Sequence, residues 1–180
     1  HVAKALEYLR QLKPAEINST YVVSLQTMVL AKAEPDRDRL HLRENVLWLQ
    51  RNQLTNGPRV GAWSYPQQGS GDNSNSQFAL LALHEAERAG VEVNSEVWRK
   101  ALAYWRDCQN VDGSWGYYKG MPGTGSMTCA GLSSLIIASG AVHPPDARIK
   151  GDRIECCVAR NLDDGDDIQR GLQWLAGHFS

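Results

Sequence analysis

The sequence predicts an all-α fold of about seven helices in two alternating layers, and three observations carry that prediction. Charge is segregated along the chain: residues 19–31, 73–84 and 120–141 contain no Asp, Glu, Lys or Arg. The stretches between them are densely charged, with Arg37, Asp38, Arg39, Arg43, Glu44 and Arg51 in one and Glu96, Arg99, Lys100, Arg106 and Asp107 in the next. A helix that is uncharged all round belongs inside, whereas an amphipathic one shows a face to water. Second, a closing device recurs after the charged helices: Gln53 leads to Gly61-Ala62-Trp63-Ser64-Tyr65, and Gln109 leads to Gly113-Ser114-Trp115-Gly116-Tyr117. Third, no segment alternates with period two for long enough to announce a sheet.

The outer helices come first, because an internal repeat governs everything else. Ala5-Leu6-Glu7-Tyr8-Leu9, Asn45-Val46-Leu47-Trp48-Leu49, Ala101-Leu102-Ala103-Tyr104-Trp105 and Gly171-Leu172-Gln173-Trp174-Leu175 share one pattern, spaced by 40, 56 and 70 residues. The inner helices repeat as well. Ser74-Asn75-Ser76-Gln77-Phe78-Ala79-Leu80 lies 52 residues before Ser126-Met127-Thr128-Cys129-Ala130-Gly131-Leu132, the same spacing that superposes Gly61 on Gly113. A third copy starts at Thr20-Tyr21, with Ser24-Leu25 matched to Ala79-Leu80 and Gly131-Leu132.

Cap chemistry agrees. Asp72, Asn73 and Ser74 offer N-cap oxygens before one inner helix; Gly123, Thr124 and Ser126 stand before the next. Gly90 and Gly140 are placed as C′ glycines. The linker of residues 143–167, with Pro144-Pro145, Gly151 and an acidic run, is expected to hold one short outer helix around residues 153–159.

Composition narrows the function classes. The 180 residues suffice for one domain with a substantial core, so residues 1–180 are read as a single unit. A net charge of -1 leaves no basic footprint for nucleic acid. The longest uncharged stretch, residues 120–141, is rich in Gly, Ser and Thr, so no transmembrane segment is expected. The chain opens at His1 within a helical pattern and stops at Ser180 just after an apolar run, so a piece of a longer protein is expected. Cys108, Cys129, Cys156 and Cys157 have no C-x-x-C spacing and read as reduced thiols; no metal or other cofactor is expected.

The Gln109…Gly113-Ser114-Trp115 turn, following Ala101-Leu102-Ala103-Tyr104-Trp105, resembles the QW repeat of squalene and hopene cyclases, with related helix pairs in protein prenyltransferase β-subunits. The resemblance covers nearly the whole chain and implies an α/α toroid, here an incomplete one, of alternating inner and outer helices. It is closest to larger, uncharacterised bacterial proteins carrying such repeats. The chain departs from the pattern at Ala101, where Gly is preferred, and in the longer first turn. Lys13 and Phe179 occupy the Gln place in the terminal copies. In the motif, Gln is expected to satisfy backbone groups at the end of its own helix, Gly to allow the reversal, and Trp to cover the turn.

Three groups of residues are candidate sites. Asp164-Gly165-Asp166-Asp167 matches the D-x-D-D acid of class II terpene cyclases, but it precedes an outer helix, and the reading preferred is a solvated N-cap loop. Asp107-Cys108, Cys156-Cys157 and His178 offer zinc-ligand types without a D-x-C pair, so neither a metal site nor a catalytic residue is assigned. The polar rim of the inner helices remains: Asp72, Asn73, Asn75 and Ser76 in one repeat, Ser126, Thr128 and Cys129 in the next, and Tyr117 and Tyr118 from the adjoining turn. Helix N-termini, hydroxyls and amides at a common mouth make a ligand site, with plain capping as the alternative. The function expected is a scaffold binding an isoprenoid-like molecule or a protein partner. The alternative is an isoprenoid-processing enzyme, completed by residues outside these 180, for which an aromatic-lined cavity was expected to be missing here.

Overall fold

The computed structural model describes residues 1–66, 69–143, 148–150, 153–155 and 164–178. In chain order the elements are α1 (Val2–Gln11), α2 (Pro14–Ile17), α3 (Thr20–Ala33), α4 (Arg39–Arg51), α5 (Asn73–Arg88), α6 (Ser95–Asp107), α7 (Gly125–Val142), β1 (Arg148–Lys150), β2 (Arg153–Glu155) and α8 (Asp164–His178). The all-α class holds, with one small ribbon added. The uncharged helices lie side by side, α3 on α5 and α5 on α7; α4 packs on α3 and α5, α6 on α7, and α8 on α7.

The ribbon corrects the expected outer helix at residues 153–159. Arg153–Glu155 is a strand, paired antiparallel with Arg148–Lys150 in the register Ile149↔Ile154. In the sequence two runs centred on isoleucine flank Gly151-Asp152, a two-residue hairpin signal that overrides a weak helical pattern. Pro144, Pro145, Gly151, Cys156, Cys157, the rest of that expected helix, Asp163, Phe179 and Ser180 lie outside the described residues.

The recurring turn works as a clamp between neighbouring repeats. Gln53 Nε2 donates to Gly61 O (3.1 Å) and to Val97 O in the first turn of α6 (3.0 Å). Gln109 Nε2 donates to Gly113 O (3.0 Å) and to Asp167 O in the first turn of α8 (2.8 Å). Gln therefore holds its own turn to the next outer helix rather than capping its own. The glycines explain why nothing larger is used. Gly61 and Gly113 have φ of +95° and +90°. A Cβ on Gly61 would strike Lys100 O, and one on Gly113 would sit 2.6 Å from Arg170 O.

Tryptophan takes over the role expected of Gln. Trp63 Nε1 donates to Leu49 O (2.7 Å) and Trp115 Nε1 to Trp105 O (3.0 Å), each a carbonyl near the C-terminus of its own outer helix. The same position in α1, Leu9 O, is satisfied by Gln26 Nε2 from α3 (2.7 Å), so a different residue does this work in the first repeat, where Lys13 holds the Gln place. Each turn also leans on an inner helix: Trp63 N donates to Ser76 Oγ (2.9 Å) and Trp115 N to Thr128 Oγ1 (3.2 Å). Both indoles are fully buried.

Burial shifts the register of the first inner helix by one residue. Buried Val23, Ser24, Gln26, Thr27 and Leu30 match buried Ala79, Leu80, Ala82, Leu83 and Ala86, so Ser24 corresponds to Leu80 rather than to Ala79. The α7 helix runs on to Val142, past Gly140, which is an interior glycine rather than a C′ residue. Gly90, with φ +81° after the α5 C-cap Ala89, does close its helix.

One expectation about the inner helices fails. Their uncharged stretches are not buried all round: Val22, Leu25 and Val29 on α3 and Ile136 on α7 are 42–55% exposed. Phe78 and Leu81 on α5 and Met28 on α3 are half-buried. Among the described residues each inner helix thus keeps a partly exposed apolar stripe. Among the described residues α7 is the one helix long and apolar enough to cross a bilayer, but 44% of it is buried, against α5, α6 and α8. One such helix, partly buried, makes no clear transmembrane segment.

Candidate functional site

The rim residues separate into a buried set and an open set. Asp72 is the N-cap of α5, and its carboxylate accepts from Asn75 N and Asn75 Nδ2, both at 2.8 Å. Asn73 donates from Nδ2 to Gly116 O (2.8 Å) and accepts from the Tyr104 hydroxyl (2.7 Å). Ser76 Oγ donates to Asp72 O (2.7 Å) while accepting from Trp63 N. Thr128 takes the equivalent bond from Trp115 N. All five residues are at most 1% exposed. At this mouth capping accounts for the bond from Asn75 N to Asp72, while Asn73, Ser76 and Thr128 bond other elements, and Asn75 Oδ1 has no partner among the described residues.

Ser126 and Cys129 lie on the exposed side of α7, apart from that cluster. Thr124 is the α7 N-cap, accepting from Met127 N (3.2 Å), with Ser126 Oγ 3.3 Å from its hydroxyl.

Tyr117 and Tyr118 are half-buried and belong to an aromatic group that sequence reasoning did not assemble. Their rings meet edge-on at 4.9 Å, and the Arg59 guanidinium sits 4.8 Å over the Tyr118 ring. Tyr21, at the start of α3, stacks obliquely on Phe78 of α5 (4.7 Å) and on Tyr65 of the first turn (5.7 Å), and its hydroxyl bonds Ser74 Oγ. Burial, then hydrogen bonding with Tyr65 and the charge of Asp72, holds the Tyr117 phenol protonated far above its usual range. Burial raises Tyr21 in the same way, opposed by its bond to Ser74. Tyr21, Tyr65 and Tyr117 form one cluster of phenols beside the N-terminus of α5, at one end of the open stripes. Comparing the two closing turns would have found Tyr65, which stands where Tyr117 does. Tyr21 and Phe78 come together only through the packing of α3 on α5.

The acidic motif is outside this region. Asp166 is 84% exposed on the first turn of α8, and Asp167 pairs with Arg170 (2.6 Å) and Arg106 (3.7 Å). One of these carboxylates is solvated and the other is ion-paired at a helix N-terminus, and the Asp164 side chain lies outside what is described. Among the described residues no three His, Cys, Asp or Glu side chains gather as metal ligands would. Cys108 is buried, and that burial pushes its thiol up to about 11; Cys129 is exposed. No family model, curated protein or solved structure matches the chain.

Proposed function

We propose that the chain is an arc of an α/α toroid of the squalene-cyclase and prenyltransferase-like kind, and that it acts as a scaffold binding an elongated, apolar, isoprenoid-like molecule along its inner helices. The observation that carries this reading is the open stripe. Val22, Leu25, Met28 and Val29 on α3, Phe78 and Leu81 on α5, and Ile136 on α7 keep apolar surface in water on helices that carry no charge along these stretches. Exposed apolar surface of this kind marks a place where something else binds. The phenol cluster supplies hydrogen-bond donors for a polar end of the ligand. The reading is non-catalytic because Asp72, the carboxylate at an inner-helix mouth, is fixed as an N-cap by two bonds.

The test is equilibrium binding of all-trans-farnesol, followed by tyrosine fluorescence. Micromolar binding is expected, weakened at least about tenfold by Leu25→Glu, a change at an exposed site that leaves the core intact. Equal affinity in both proteins, or no saturable binding by the parent chain, would refute the reading. Cyclised or transferred product from squalene or a prenyl diphosphate would replace it with an enzyme.

A further inference from the structure

The groove between the second closing turn and α8 is the strongest unassigned surface, and its meaning comes from two joints already filled. At the N-terminus of α3, Thr20 Oγ1 donates to Ser64 O, the carbonyl just after Trp63 in the next repeat's turn (2.9 Å). At the N-terminus of α5, Asn73 Nδ2 donates to Gly116 O, the carbonyl just after Trp115, and Asn73 N donates to Tyr117 O (3.1 Å). Each of these inner helices is thus closed at its start by the closing turn of the following repeat. The consequence is visible in burial: Asn73, Ser74, Asn75 and Ser76 are all buried.

At α7 the equivalent place is open. Thr124 and Ser126 are exposed, and a groove of about 800 Å³ lies there, lined by Asn110, Asp112, Met121, Gly123, Trp174 and neighbouring residues. The α8 helix is already set for a third joint. Its Asp167 and Arg170 meet the second turn as Val97 and Lys100 of α6 meet the first, each 70 residues on. At the same spacing Trp174 stands where Tyr104 does, and Tyr104 is the residue that bonds Asn73 inside the filled joint. Trp174 is instead held at the groove wall by its bond to Asp112 (3.2 Å).

We infer that this groove is a docking site for one further closing turn of the Gly-x-Trp type, a polypeptide segment that accepts from Gly125 N at the start of α7 as Tyr117 O accepts from Asn73 N. The inference rests on the two filled joints and is independent of any ligand on the inner helices. The groove continues an interface that the chain builds twice within itself.

The experiment adds a peptide of residues 109–142, carrying the second turn and its inner helix, to the full chain. Amide exchange at Gly125, the counterpart of Asn73 whose N donates to Tyr117 O, is expected to slow by about tenfold or more. Acrylamide quenching of Trp174 should fall with it, and a Trp115→Ala peptide should do neither. The same segment joined after His178 raises its effective concentration to the millimolar range and gives a second reading of the same contact. Unchanged exchange at Gly125 in both formats would overturn the inference. So would protection that grows with chain concentration alone, since that would assign the groove to a second copy.

Discussion

Trp115 concentrates the physics of this chain in one side chain. Its indole is fully buried, its ring nitrogen bonds the end of α6, its backbone nitrogen bonds Thr128, and a Cβ on Gly131 would run into its ring. Trp115→Ala is expected to cost about 3–5 kcal/mol in urea denaturation, and a near-neutral result would remove Trp115 from the fastening role. The importance of this residue was legible in the sequence, because Gly113-Ser114-Trp115 repeats Gly61-Ala62-Trp63. The division of labour between Gln and Trp was not, since both can donate a hydrogen bond and only geometry assigns the acceptors.

His41 belongs at this scale too. Burial, helped by the charge of Lys13, holds its imidazole below the usual value, so the folded chain resists the proton that the unfolded chain accepts near pH 6.5. Stability is therefore expected to fall as pH drops below about 6.5, and to go on falling until the folded-state value is reached. Urea midpoints at pH 7.5 and 5.5 measure the loss, and His41→Gln should flatten that part of the profile. Thiol reactivity gives a parallel check. Exposed Cys129 is expected to alkylate quickly at pH 8, while buried Cys108 stays unmodified until the chain unfolds.

Helix starts and stops separate what sequence could read from what it could not. Local chemistry offered Asp72, Asn73 and Ser74 before one inner helix and Gly123, Thr124 and Ser126 before the next, and of these Asp72 and Thr124 accept the backbone bond of an N-cap. It could not show that Asn73 is locked by Tyr104, 31 residues away, in the next outer helix. Tyr104→Phe removes that donor from a buried acceptor and is expected to cost about 1–3 kcal/mol. Faster amide exchange in the first turn of α5 would locate the effect, and uniform loss across the chain would argue against a local cap. The α3 register failed for a related reason. Ser24 and Ala79 look alike as small residues, but burial pairs Ser24 with Leu80, since packing follows the face and not residue size. The 148–155 ribbon was missed because its strands are three residues each, too short for period two to stand out.

Across the whole molecule, charge segregation announced two layers of helices, and the packing of α4, α6 and α8 on α3, α5 and α7 follows it. Lack of charge was equated with complete burial, and there the reading failed. A charge on an apolar stripe would be desolvated by whatever covers that stripe, as it would be in a core, so an uncharged stretch does not by composition separate the two cases. The most direct test is methyl NMR of the chain titrated with all-trans-farnesol. Shifts are predicted at Val22, Leu25, Val29, Leu81 and Ile136, saturating together, with Val2 and Leu40 unmoved although they are 75% and 74% exposed. Equal shifts at Val2 and Leu40, or none along the inner helices, would contradict a specific apolar site on this face.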